Sequence, residues 1–243
     1  MKHIIPLLAA AALLLLPSCR FVRFSDEVKE QIRNNGVTWM GEESGETIDA
    51  SEILATRSEE PGDFSALDCN LPCDVTYTPG DCAITFSGPD NVLPHILVLN
   101  DNGRLTIKSD GAGFRKLKHL RINVSSPVLE SVVFNGAVDF EAPDGITGTD
   151  FTAAVNGAGD LEINGLKART TSITVNGAGD AEISGIDCER LTVQINGAGD
   201  ATVSGNAASA DLMISGAGSI DATALNCINI SSRVRGIGRI RRD

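Results

Sequence analysis

What this sequence has least of is aromatic side chain. Phe, Trp and Tyr make up 4% of 243 residues, with one Trp, one Tyr and neither type after Tyr77. Ligand grooves are commonly lined by aromatic rings with a few placed polar groups, so the lack counts against a sugar-binding cleft. Positive charge is also short: 20 Lys and Arg against 32 Asp and Glu give a net charge of −12. A surface that neutralises phosphates needs the opposite balance, which excludes nucleic acid as a partner. The three histidines (His3, His95 and His119) form no pair at a useful spacing, and no Gly-x-Ser-x-Gly elbow is present. No catalytic residue and no cofactor is expected, and the chain reads as non-enzymatic.

What the sequence does have is a phrase that returns six times. It reads Asn135-Gly-Ala-Val-Asp139, Asn156-Gly-Ala-Gly-Asp160, Asn176-Gly-Ala-Gly-Asp180 and Asn196-Gly-Ala-Gly-Asp200, followed by Ser215-Gly-Ala-Gly-Ser219 and Arg235-Gly-Ile-Gly-Arg239. Successive starts are 21, 20, 20, 19 and 20 residues apart, a fixed period of the kind that marks a solenoid. Between phrases the pattern alternates, as in Ser172-Ile173-Thr174-Val175, which is strand periodicity with one buried face. Apolar columns recur: Phe134, Val155, Val175, Ile195, Ile214 and Val234 before the Asn column, and Ala142, Ile163, Ile183, Val203 and Ala222 seven places after it. Between the glycines stand Ala137, Ala158, Ala178, Ala198, Ala217 and Ile237. The expected fold is all-β, a single-stranded right-handed parallel β-helix of about 20 residues per coil with a stacked Val, Ile, Leu and Ala interior.

The chain divides into three expected parts: 1–18, 19–62 and 63–243. The first is a signal peptide. Its apolar run, Ile4 to Leu16, has 13 residues, short of the ~20 that span a bilayer as a helix. The run ends in Leu16-Pro17-Ser18-Cys19, which resembles a bacterial lipobox and implies lipidation of Cys19. The expected location is then the cell envelope, as an outer-membrane lipoprotein, with the membrane as a partner through the anchor. Residues 19–62 are acidic and polar and are expected to be a tether, with a short helix over Asp26 to Arg33 and Trp39 as a possible docking residue. In the third part, strand signals at Val75 to Tyr77 and Ala83 to Phe86 flank the turn Thr78-Pro-Gly-Asp81, and Ile96 to Leu99 and Leu105 to Ile107 flank Asp101-Asn-Gly103.

The order Phe64-x-x-Leu67, Asp74-Val75, Leu105-Thr-Ile107, Pro127-x-Leu129 and then repeated Gly-Ala-Gly turns resembles the autotransporter-adhesin head domain, or GIN domain, over about Ser51 to Ile240. The resemblance implies a pectin-lyase-like right-handed β-helix, a Gram-negative secreted or lipid-anchored protein, a role in adhesion, and no catalytic residues to carry over. The ending at Arg241-Arg242-Asp243 departs from the family's Gly-rich last coil. The implied partner is a host or envelope glycan or protein. The alternatives are a carbohydrate-active or glycan-binding β-helix and a periplasmic structural module.

The candidate site residues are the two polar columns of the phrase. Asn135, Asn156, Asn176 and Asn196 are read as turn formers, with a hydrogen-bonded amide ladder as the alternative. Asp139, Asp160, Asp180 and Asp200 are read as accepting backbone N–H groups in their turns. A weak calcium alternative rests on Asp160, Asp180 and Asp200, but nonapeptide calcium repeats bring a turn every nine residues and here one comes per coil. Of the six cysteines, Cys188 and Cys227 share a column two coils apart with Ala208 between, too far for a bridge. Cys69, Cys73 and Cys82 lie close in sequence, so one bridge among them fits an exported chain, while their spacing does not suit zinc. The crowd of Arg233, Arg235, Arg239, Arg241 and Arg242 is read as a charged cap on the last coil.

Overall fold

The structure is a computed structural model and describes residues 46–242. The signal peptide, Cys19, the helix over Asp26 to Arg33 and Trp39 lie outside the described residues. The described part is all-β with one large mixed sheet.

The strands are β1 (Thr47–Asp49), β2 (Leu54–Glu59), β3 (Ala66–Cys69), β4 (Cys73–Pro79), β5 (Ala83–Pro89), β6 (Ile96–Asp101), β7 (Arg104–Ser109), β8 (Gly113–Arg115), β9 (Arg121–Ser126), β10 (Ser131–Gly136) and β11 (Val138–Ala142). They continue with β12 (Ile146–Thr147), β13 (Asp150–Gly157), β14 (Leu161–Lys167), β15 (Thr170–Gly177), β16 (Ala181–Gly197) and β17 (Asp200–Arg242). A 3₁₀ turn, Leu93–His95, precedes β6.

The phrase divides the chain into two parallel ladders. Strands that end at the Asn column pair in the order β7, β3, β10, β13, β15, then the second part of β16, then β17. Strands that begin after it pair as β9, β4, β11, β14, the first part of β16, and β17. The register is repeat on repeat: Asn135 lies beside Asn156, Asn156 beside Asn176, and Asn176 beside Asn196. Because strand side chains alternate, this register sends one set of residues inward at every level. Leu67, Val132, Ala153, Ile173, Val193 and Leu212 form one inner row, and Cys69, Phe134, Val155, Val175, Ile195 and Ile214 the next. All twelve are buried. Each Val, Leu, Ile or Phe among them contributes on the order of 1.5–3 kcal/mol of burial.

Both ladders change character at the same end. The first finishes in an antiparallel hairpin, β6 on β7. The second finishes in two antiparallel steps, β5 on β9 and β2 on β5. The sheet is therefore mixed, which corrects the expectation of a purely parallel architecture. Antiparallel strands end the parallel ladders there and leave two short edge strands, β2 and β6, of six residues each.

Three further differences from the sequence reading have physical causes. The segment 19–62 is not tether throughout: β1 and β2 lie inside it, and β2 pairs along its whole length with β5. Its described residues, 46–62, read as polar because none of their side chains is fully buried. Within it, however, Arg57 lies over the Phe86 ring at 4.7 Å and donates to the carbonyl oxygens of Leu93 and, at 2.9 Å, Ile96. Second, β4 and β5 are joined by their turn but do not pair, because β9 runs between them. Third, the alanines between the glycines (Ala137, Ala158, Ala178, Ala198 and Ala217) point outward and are exposed, leaving the interior to the strand residues.

Candidate functional site: the corner ladders

Each repeat turns at its phrase, and the glycines there are demanded by backbone on backbone. Gly177 has φ +149, and a Cβ on it would collide with the carbonyl oxygen of Gly157 in the repeat before. A Cβ on Gly179 would collide likewise with Gly159. Only glycine lets two corners sit at strand spacing there. The closeness lets the peptide groups bond: the N–H groups of Ala158, Ala178 and Ala198 donate to the carbonyl oxygens of Gly136, Gly157 and Gly177 at 2.9, 2.9 and 2.8 Å.

The two polar columns fall on either side of this stack. In the Asn column, each Nδ2 donates to the Oδ1 of the preceding repeat: Asn156 to Asn135 at 2.9 Å, Asn176 to Asn156 at 2.8 Å and Asn196 to Asn176 at 2.8 Å. The row lies at the surface and every bond points the same way. In the Asp column, each carboxylate accepts the backbone N–H of its successor: Asp139 from Asp160 at 3.1 Å, Asp160 from Asp180 at 3.0 Å and Asp180 from Asp200 at 2.9 Å. Asp200 takes both the N–H and the hydroxyl of Ser219, at 2.7 and 2.8 Å. Every Asp of the calcium alternative thus spends an oxygen on the next backbone. Among the described residues no group of three or more His, Cys, Asp and Glu could hold a metal ion.

The sequence reading missed a seventh copy. Asn135 donates to Asn70 Oδ1 at 2.6 Å, and Asp139 lies beside Asp74. Asn70-Leu-Pro-Cys-Asp74 is therefore the first corner, 65 residues before the second. The surviving signal is Asn-x-x-x-Asp; the glycines that made the other copies conspicuous are gone. Two outward rows lie beside the corners. Thr152, Ser172 and Thr192 stack on one ladder, and Glu141, Glu162 and Glu182 on the other. The first row is neutral and hydroxyl-bearing, the second anionic.

The five described cysteines are all free thiols. The Cys69 and Cys73 sulfurs stand 3.5 Å apart and both side chains are buried, whereas Cys82 is half-buried elsewhere. The contact between the two thiols holds the Cys69 pKa down and pushes that of Cys73 up. Cys188 is buried and lies beside Ala207, not Ala208. The cause is a register shift between Ile183 and Ile186 that absorbs the one short period. Burial pushes the Cys188 thiol up. Arg169, at a bend, is held by Asp150 at 2.9 Å. Of the C-terminal arginines, Arg241 approaches Asp221 at 3.5 Å and Arg242 donates to the Ile230 carbonyl at 2.9 Å. An open cavity of about 310 Å³ is lined by Asp63, Phe64, Ser65, Cys82, Gly103, Pro127 and Val128, which supply no base paired with a cation.

These features define an all-β repeat protein whose polar columns fasten one repeat to the next. The chain belongs to the family described as putative auto-transporter adhesin, head GIN domain, whose model matches residues 63–242. It is similar to the crystal structure of a putative adhesin from Bacteroides fragilis, at 22% identity and TM-score 0.68, covering 81% of this chain and 100% of that one. A putative adhesin from Parabacteroides distasonis is similar at 15% identity and TM-score 0.68, covering 82% of this chain and 100% of that one. So is a putative lipid binding protein from the same species, at 14% identity and TM-score 0.54, with the same coverages of 82% and 100%. At these identities the structures speak for the fold. No curated protein matches the chain.

Proposed function

We propose that this chain is a non-enzymatic adhesion module of the bacterial envelope, held to the outer membrane by lipid on Cys19, and that it binds through a flat repetitive face. The path of the chain is a right-handed parallel β-helix of about 20 residues per coil, capped at its first coil by the antiparallel strands. The observation that carries the reading is the ladder of Thr152, Ser172 and Thr192. It is a row of hydroxyls at strand spacing, roughly 4.8 Å, on the outward face of the sheet, ending at Asp211 in the next repeat. Such a row suits many weak contacts with a repetitive partner, a glycan or protein of the host or the envelope itself, where avidity replaces a deep pocket. The adhesin family supports this class of role, and the family relation also suggests the cell envelope or surface.

The test is an array of glycans and matrix proteins probed with the fragment from Arg20 to Asp243, with calcium and with chelator. Binding that is unchanged by chelator and lost when Thr152, Ser172 and Thr192 are replaced by Asp is expected. Binding that survives the triple replacement would reject the face, and turnover of any glycan would reject the non-enzymatic reading. Metabolic labelling with palmitate should mark the wild type and not Cys19→Ser.

A further inference from the structure

The corner Asn70–Asp74 is the one copy of the phrase without a glycine. The structure also shows what occupies the places flanking it. In the later repeats the residue before the Asn is apolar and the residue before the Asp is glycine: Val155 with Gly159, Val175 with Gly179, Ile195 with Gly199. Nothing can link the two sides there, because the second place has no side chain. In the first corner these places are Cys69 and Cys73. Cys69 lies between Ile107 and Phe134 in the inner row, and Cys73 lies beside Val138. The two sulfurs meet across the corner at 3.5 Å. Closing that gap to the ~2.05 Å of a sulfur–sulfur bond asks for side-chain rotation in a loop of three intervening residues. Cys73, itself 7% exposed, also borders an open cavity of about 190 Å³ with Pro72, Asp74, Leu117, His119 and Asp139, and this is the side of the corner that faces solvent.

We propose that Cys69 and Cys73 are an oxidation site and form an intramolecular cystine that fastens the first corner covalently. Cys82, nine residues beyond Cys73 and half-buried elsewhere, takes no part. The oxidant is a carrier disulfide, such as oxidised glutathione or an exported dithiol oxidase. The thiolate of one cysteine attacks the carrier's sulfur–sulfur bond and releases one carrier thiol, leaving a mixed disulfide. The second cysteine then loses its proton and displaces the carrier's remaining sulfur. The cysteines give up two electrons and two protons, and the carrier leaves as two thiols.

The experiment uses the full chain, equilibrated with mixtures of oxidised and reduced glutathione, quenched with acid, then alkylated in denaturant and cut at arginine. The peptide 58–104 carries Cys69, Cys73 and Cys82 together. Expected at oxidising ratios is a peptide lighter by two hydrogens with a single alkyl group, on Cys82. In Cys82→Ser the same bridge should form with no alkyl group left. A bridge that includes Cys82, glutathione adducts without a bridge, or full alkylation at every ratio would overturn the assignment. A second measurement tests the fastening itself. The oxidised wild type should lose Tm when reduced, and Cys69→Ser/Cys73→Ser should not respond to reductant. An unchanged Tm in the wild type would refute that part.

Discussion

The front of the domain, through β9, and the run of repeats after it solve the same packing problem by different means. The front uses bulk. Phe64, Tyr77 and Phe86 are buried there, Tyr77 donates to the Ser126 carbonyl at 2.9 Å, and the strands reverse direction to close the ladder. The later repeats use absence. Their corners stack through glycines, which have no Cβ, and their interior beyond Phe151 holds no aromatic ring. A capping end must stop propagation, so it needs shape and irregularity; a stacking region must permit propagation, so it needs sameness. The same family of contacts thus tolerates change very differently in the two regions.

Glycine replacements should separate the two regions most sharply. Gly177→Val puts a branched side chain at φ +149 into the Gly157 carbonyl, whereas Gly103 has φ +82 and open space around it. The first should cost more than ~4 kcal/mol or prevent folding, and Gly103→Ala about 1 kcal/mol, read by chemical denaturation. Equal losses would erase the distinction. Next in size are core truncations. Phe134 and Phe140 meet at 5.1 Å where the two ladders face each other, and either Phe→Ala change should cost about 3–5 kcal/mol. A double-mutant cycle should show that the two losses are not additive.

Smaller effects belong to the polar columns. Asp180→Ala removes the acceptor for the Asp200 N–H and should cost about 1 kcal/mol, with Asp180→Asn restoring most of it because an amide oxygen also accepts. Asn176→Ala breaks one bond to Asn156 and one from Asn196, at a comparable cost. The smallest effect is a pH dependence shared by both ends of the domain. At the front, the Arg115 guanidinium beside Asp49, and the Ala112 N–H with His95 beside Asp110, hold those carboxyls below the usual range. At the last repeat, the Thr223 hydroxyl and N–H and then Arg241 do the same for Asp221. Folded values below unfolded ones stabilise above the ordinary Asp pKa of about 3.9, and this contribution is lost as pH falls through the folded values. Thermal melts should therefore move down only below about pH 4, and Asp49→Asn with Asp110→Asn should flatten that slope.

How far the sequence was legible follows the same division. The later repeats announce themselves because glycine is needed at fixed places and alternation fills the rest, so the columns from Phe134 to Ile214 emerge in register. The first corner escaped because Leu71 and Pro72 stand where glycine and alanine would, and because β5 to β9 are inserted between it and the next corner, 65 residues on. The placement of β9 between β4 and β5 was not legible, since neighbours in sequence are only a default for neighbours in a sheet. The direction of the alanines was hidden as well. A methyl group suits an interior by composition, and only the close approach of flanking glycines turns it outward. The Asp column was readable as a backbone acceptor, but not that the backbone belongs to the following repeat.

The one-way amide row has a hereditary consequence. Since every Asn donates backward and accepts from ahead, a whole unit can be excised or duplicated and the row closes up again without a mismatched pair. The Asn-Gly-Ala-Gly-Asp phrase is identical in three successive repeats, so the loss or gain of one whole unit would leave every corner intact. Each such loss or gain would change the height of the molecule by a step of roughly 4.8 Å and leave its two ends untouched. Reach becomes a trait that can evolve in increments, apart from whatever the surface binds.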